Sequence, residues 1–102
     1  MKEGKHLEFH PDAAEEVEAA FDWYAVRSAS AARGFLSEVD LCVGRAKEHP
    51  ERWPIEIGQV RRYVFPRYPF ILFYRRKDQG IQVVAVAHQQ RRPRYWLSRS
   101  EP

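Results

Sequence analysis

Arginine and aromatic side chains are concentrated at two places in the second half of the sequence. One group lies in the segment VRRYVFPRY and the other follows the segment VVAVA; the residues of interest are Arg61, Arg62, Arg67, His88, Arg91, Arg92, Arg94, Tyr95 and Trp96. An arginine fork binds phosphate or carboxylate oxygens, and an aromatic ring can stack on a base. The two groups therefore predict a surface that binds a target or a nucleic acid.

Four of these residues also have the chemistry to cleave RNA. In such a reaction the 2′-hydroxyl attacks the phosphate, a side chain transfers the proton, and arginine stabilises the developing charge. Arg61 and Arg62 are adjacent in a predicted strand and point to opposite faces, so at most one of them joins the site unless a bulge intervenes. The candidates for catalysis are His88, Arg91, Arg92 and Tyr95.

The charge is distributed unevenly along the chain. Residues 1–50 hold 6 Lys and Arg against 10 Asp and Glu, a net charge of −4, whereas residues 51–102 hold 11 against 4, a net charge of +7. All but one of the basic residues in the second half are arginine. This pattern leaves two interpretations open, a solvated basic face or an anionic partner.

Several classes of function lack their signatures. The 102 residues are expected to form one domain, 1–102, with no phosphate loop, zinc-protease motif or nucleophile elbow. The four histidines do not have metal-ligand spacing, so we expect no metal and no cofactor. Cys42 is expected to be a buried helix residue. The sequence shows neither a signal peptide nor an apolar stretch of membrane-spanning length, which predicts a cytoplasmic protein without membrane contact.

The elements that position the candidate residues follow from periodicity. Alternating residues 7–10 predict a strand, and apolar residues at helical spacing predict a helix from Pro11 to Arg27 and a second one from Ser28–Ser30 to His49. Residues 50–58 are predicted as a loop held by Trp53. Segments rich in β-branched and aromatic residues then predict a meander of three strands, Val60–Phe65, Phe70–Tyr74 and Ile81–Ala87.

This order, β-α-α-β-β-β, predicts an α+β domain in which a two-helix antiparallel hairpin packs on one face of an antiparallel sheet. The opposite face is expected to remain open. Tyr63, Tyr68 and Trp96 are each expected to pack in the structure in preference to contacting a ligand.

The same order of segments resembles the RelE/ParE superfamily of toxins from type II toxin–antitoxin systems, in particular its ParE-like plasmid-stabilisation branch. The resemblance extends over about residues 7–99 and rests on the segments FHPDAAEEVEAAFDWY, AKEHPERWP, VRRYVFPRYPFILFYRR and VVAVAHQQRRPRYW. It implies a toxin that inhibits growth by binding a protein target, with DNA gyrase as the candidate. It also implies a hetero-oligomer with a cognate antitoxin, whose acidic, partly disordered C-terminal segment would suit the basic half of this chain. The expected antitoxin-binding residues are Ile71, Phe73 and Arg75.

The resemblance leaves two other functions open. RelE-type members are ribosome-dependent mRNA endoribonucleases, and their C-terminal arginine and aromatic residue have counterparts here in Arg91 or Arg92 and Tyr95. Their strand-three arginine, however, is replaced by Ile71, which removes a phosphate ligand. The remaining alternative is a non-toxic co-repressor subunit that acts on DNA together with its antitoxin.

Overall fold

A five-stranded sheet carrying two helices forms the body of the protein. The computed structural model describes residues 6–100, and its elements are β1 (Leu7–Phe9), α1 (Pro11–Ala25), α2 (Ala29–Glu48), β2 (Ile55–Ile57), β3 (Val60–Val64), β4 (Phe70–Lys77), β5 (Gly80–His88) and a 3-10 turn at Leu97–Ser100. The strand order is β1-β5-β4-β3-β2. β1 is parallel to β5, and the other neighbours are antiparallel. The predicted α+β class and helical hairpin are confirmed.

The helix boundaries follow from capping residues. Pro11 occupies the first turn of α1, and the His10 ring accepts a hydrogen bond from the backbone N–H of Asp12 at 3.1 Å. Ser28 has an extended backbone, and its hydroxyl accepts from the N–H of Ala31 at 3.1 Å, which starts α2. Because Ser28 must be non-helical for this role, α1 ends at Ala25, two residues before the predicted end.

The loop predicted at residues 50–58 contains a strand that the sequence analysis missed. β2 is only three residues long and pairs with the start of β3 through an irregular register. It lies between Pro54 and Gly58, and an element of this length shows no measurable alternation. The predicted role of Trp53 is confirmed, since its ring stacks on Tyr63 with the centroids 4.6 Å apart.

Hydrophobic residues are buried on both faces of the sheet. On the helix face, Phe35 and Cys42 of α2 pack against Leu72 and Val83 of the sheet. On the other face, residues 89–100, which we call the C-terminal segment, place Trp96 over Phe73 with the ring centroids 4.5 Å apart. The prediction of an open second face is therefore wrong. Residues 81–87 are all buried, the pattern of a strand covered on both sides, and this signal was in the sequence.

Trp96 is the largest side chain on the second face and is 1% exposed. We expect Trp96→Ala to lower the free energy of unfolding by about 3–5 kcal/mol, because it leaves a cavity over the sheet. Trp23→Ala is the matched control, since the same change at a ring that is 53% exposed should cost less than about 1 kcal/mol. The measurement is urea unfolding of both variants; equal losses would contradict the packing of the C-terminal segment.

Candidate functional site

The C-terminal segment and the sheet together enclose a cleft of about 280 Å³, which we call the arginine cleft. Its floor is apolar and consists of Ile71, Phe73 and Ala87. Around the floor lie the polar and charged residues Glu56, Arg62, His88, Gln89, Arg91, Arg92, Arg94 and Tyr95. The predicted convergence of the two arginine groups is thus observed for Arg62 and the residues after β5.

Positive charge is in excess around the arginine cleft. Glu56 accepts from Arg62 Nη1 at 3.4 Å and from Arg94 Nε at 3.1 Å, so one carboxylate serves two guanidinium groups. In the described part of the chain, no carboxylate forms an ion pair with Arg91 or Arg92. Four arginines against Glu56 leave an excess of three positive charges.

Backbone and ring contacts hold the arginines in place. Arg94 has a φ of 58°, a left-handed conformation that costs a residue with a side chain on the order of 1 kcal/mol. It is retained there by hydrogen bonds to the carboxylate and the backbone carbonyl of Glu56, at 3.1 and 3.3 Å. The Arg91 guanidinium lies 3.8 Å from the centroid of the Tyr95 ring. These contacts orient the guanidinium groups of Arg91 and Arg94 before any ligand arrives.

Glu16 of α1 joins the C-terminal segment to the rest of the fold. Its carboxylate accepts from Tyr95 Oη at 2.5 Å, from Arg99 Nη2 at 3.0 Å and from the backbone N–H of Val86 at 2.9 Å. Arg99 also donates to the backbone carbonyl of Val84 at 3.2 Å. β1 pairs with residues 81–83 of β5. Beyond the end of β1, the side chains of Glu16 and Arg99 bind the backbone of β5.

The Tyr95 hydroxyl and one ring nitrogen of His88, the acid-base groups of the arginine cleft, already have hydrogen-bond partners. Burial, followed by the hydrogen bond to Glu16, raises the pKa of Tyr95, so its hydroxyl stays protonated and its proton points to Glu16. His88 Nδ1 accepts from the backbone N–H of Gln90 at 3.1 Å, which leaves Nε2 to carry the proton in the neutral ring. Neither side chain is placed as a free general base.

Two predicted site residues lie away from the arginine cleft. Arg61 points to the other side of β3, where its guanidinium donates to the backbone carbonyl of Trp53 at 2.7 Å. Arg67 is exposed in the β3–β4 connection, and its backbone N–H donates to buried Glu38 at 2.7 Å. The expectation that Arg61 and Arg62 face opposite sides is confirmed, and only Arg62 reaches the cleft.

Tyr68, Tyr63 and Trp96 are structural residues, as predicted. Tyr68 donates to the backbone carbonyl of Ala31 at 2.7 Å and packs against the helix-side core, Tyr63 stacks on Trp53, and Trp96 is buried.

The residues predicted to bind the antitoxin lie beneath or beside the C-terminal segment. Phe73 is buried under Trp96, and Ile71 is part of the cleft floor. Arg75 donates to the side chain of Gln82 at 2.9 Å and to the backbone carbonyl of Ser100 at 3.0 Å. The expectation that Ile71 and Phe73 form an open surface is wrong, because the C-terminal segment covers the second face. Their role in antitoxin binding stays a prediction.

A second concave surface, which we call the α1 groove, was not predicted. It has a volume of about 550 Å³ and lies between α1 and the end of β5. Its lining is mostly apolar, with Ala19, Ala20 and Trp23 from α1 facing Phe70 and Val86 of the sheet. His88 and Arg91 line both the α1 groove and the arginine cleft, and thus stand between them.

Residues 6–100 contain no group of three or more His, Cys, Asp or Glu that could hold a metal ion. None of the helices in this part of the chain is long and apolar enough to cross a membrane. Cys42 is buried as predicted, and burial raises the pKa of its thiol to about 12, which keeps it protonated and unreactive.

The Glu16 network can be tested with an isosteric change. Glu16→Gln keeps the side-chain size but removes the charge that binds Arg99 and Tyr95, and we expect a loss of about 1–3 kcal/mol in the free energy of unfolding. Amide hydrogen exchange in residues 95–100 should become faster. Glu15→Gln, an exposed neighbour on the same helix, is the control. If both variants exchange at the same rate as the unmodified protein, Glu16 does not hold the C-terminal segment.

Comparison with known proteins places this geometry in a family. A family model described as the ParE toxin of the type II toxin–antitoxin system parDE matches residues 7–93. A solved structure of the chromosomal ParDE toxin–antitoxin system from P. aeruginosa is similar, with a TM-score of 0.71 and 23% sequence identity over 82% of this chain and 95% of that one. No curated protein matches. The structural likeness supports the fold, the family model covers most of the chain, and this protein therefore belongs to the ParE toxin family of type II toxin–antitoxin systems.

Proposed function

We propose that this ParE-family protein inhibits growth by binding the complex of DNA gyrase with DNA, and that the arginine cleft is its contact surface. The observation that carries the proposal is the cleft itself, which combines an excess of three positive charges with acid-base groups that are already engaged. Such a surface is suited to binding an anionic target and is poorly suited to proton transfer. Family membership supports the choice of gyrase.

Cleavage of RNA is less well supported by the same geometry. A ribonuclease of the RelE type needs a phosphate ligand on the sheet and a group that moves a proton at the 2′-hydroxyl. Here Ile71 lies on the apolar floor at the position where the resemblance places an arginine, and the Tyr95 hydroxyl is held by Glu16. The arginines of the cleft can bind an anion without a phosphate ligand on the sheet and without a group that transfers a proton.

The proposal predicts inhibition of gyrase that depends on the two arginines without carboxylate partners. In a supercoiling assay with purified gyrase, the protein should block supercoiling. The double variant Arg91→Gln and Arg92→Gln should need about 10- to 100-fold more protein for half-inhibition, as expected for the loss of two charge-assisted contacts. Arg33→Gln, an exposed change on α2 that also removes a positive charge, should inhibit normally.

A second assay tests the alternative function, cleavage of messenger RNA. Messenger RNA in a translating extract should remain intact when the protein is added. Cleavage that disappears in His88→Ala and Tyr95→Phe variants, together with unimpaired supercoiling, would contradict the gyrase proposal and support the endoribonuclease.

We also propose that the cognate antitoxin inserts an apolar, acidic segment into the α1 groove. The groove has an apolar lining and is flanked by Arg91 and by Arg27, whose guanidinium lies 3.7 Å from the centroid of the Trp23 ring. Trp23 is 53% exposed and joins the apolar lining of the groove to form one exposed apolar patch, which indicates an interaction site. Glu16 also lines the groove, but its carboxylate is already bound by Tyr95 and Arg99, so the charge offered to a partner is that of Arg91 and Arg27. An apolar floor beside these two arginines matches a partner that carries both apolar side chains and carboxylates.

A bulky charge in the α1 groove should separate antitoxin binding from toxicity. We expect Ala19→Arg to remain toxic in cells but to escape neutralisation by the antitoxin encoded beside it, because Ala19 lines the groove. Ala14→Arg, at an exposed position of α1 outside the groove, should be neutralised normally. Growth curves with and without the antitoxin measure both effects. Full neutralisation of Ala19→Arg would place the antitoxin elsewhere.

A further inference from the structure

We propose that the arginine cleft binds the phosphodiester backbone of DNA directly. This inference rests on the proposed function and deepens it, because it assigns the contact to the nucleic acid of the gyrase–DNA complex and not to the surface of the enzyme.

The charge of the arginine cleft fits phosphate groups in number and in type. Glu56 neutralises only one charge of Arg62 and Arg94, while Arg91 and Arg92 have no carboxylate partner among the described residues. Arginine presents a planar fork of donors that matches phosphate oxygens. An excess of three positive charges at one cleft is therefore a site for a polyanion.

The orientation of three of the four arginines, Arg62, Arg91 and Arg94, is set before binding. Glu56 bridges Arg62 on β3 and Arg94 in the C-terminal segment, and the Tyr95 ring supports Arg91. Groups that are already held in place lose less conformational entropy when they bind. On a solvated basic face, in contrast, the side chains are flexible because no shared carboxylate or ring holds them in place.

The aromatic rings indicate contact with the backbone and not with the bases. Trp96 is 1% exposed and packs on Phe73, and Arg91 covers the Tyr95 ring. Proteins that bind unpaired bases present open rings for stacking. The arginine cleft offers no open ring, so its contacts with DNA fall on phosphates and carry little sequence preference.

The test is fluorescence anisotropy of a fluorescein-labelled 20-base-pair duplex titrated with the full-length protein. Three phosphate contacts predict a slope of about −2.7 in log affinity against log salt concentration, so affinity should fall about forty-fold between 50 and 200 mM NaCl. Arg92→Gln should reduce the slope by about 1. Arg33→Gln, which removes the same charge from an exposed position on α2, should leave the slope and affinity near those of the unmodified protein.

Three results would overturn the inference: no binding at 50 mM NaCl, equal weakening by Arg33→Gln and Arg92→Gln, or displacement of the duplex by polyglutamate at an equal concentration of charge. The second result means diffuse attraction without a site, and the third means a site for an acidic peptide. The supercoiling assay separates this inference from the proposed function. Inhibition of gyrase without DNA binding rejects only the inference, whereas Arg92-dependent DNA binding without inhibition rejects only the function.

Discussion

The carboxylate of Glu16 is the interaction on which the arrangement of the candidate site depends. It binds donors from β5 and from two residues of the C-terminal segment, Tyr95 and Arg99, and so fixes this segment to the first helix. A half-buried carboxylate with three donors is well satisfied, whereas the same donors without it would be left unpaired close to the sheet. The position of the Tyr95 ring, and through it that of Arg91, follows from this one group.

The C-terminal segment changes what the sheet does. A sheet with helices on one face only would expose Phe73 and Val84, and such a large apolar area calls for a partner. Here Trp96 covers these residues, so the second face has a small hydrophobic core of its own. The arginine cleft is the concave surface that remains on this face, and guanidinium groups line it. Closing the apolar face is thus also what turns this side of the molecule into a basic site.

The two concave surfaces differ in chemistry but share a wall. The α1 groove is apolar and the arginine cleft is basic, and His88 and Arg91 line both. The proposed antitoxin segment in the groove would contact the same residues that the cleft uses for its target. If the antitoxin binds as proposed, one of its carboxylates would pair with Arg91 from the groove. Arg91 would then no longer be available to bind a target in the cleft.

The sequence by itself determined the α+β class, both helices, the three main strands and the concentration of arginine around the end of β5, because helical periodicity, strand composition and charge are local properties. The nearly continuous apolar run of residues 81–87 also indicated a strand buried on both faces. Only the tertiary structure decided that the C-terminal segment is what covers the second face, that Arg61 lies outside the cleft, and that Glu56 and Glu16 organise it. Glu16 meets Tyr95 across 79 residues and Glu56 meets Arg94 across 38, and no local pattern marks a carboxylate for such a partner. β2 was missed for a different reason, since three residues between Pro54 and Gly58 are too few to show a period, and it is the neighbouring strand β3 that makes them a strand.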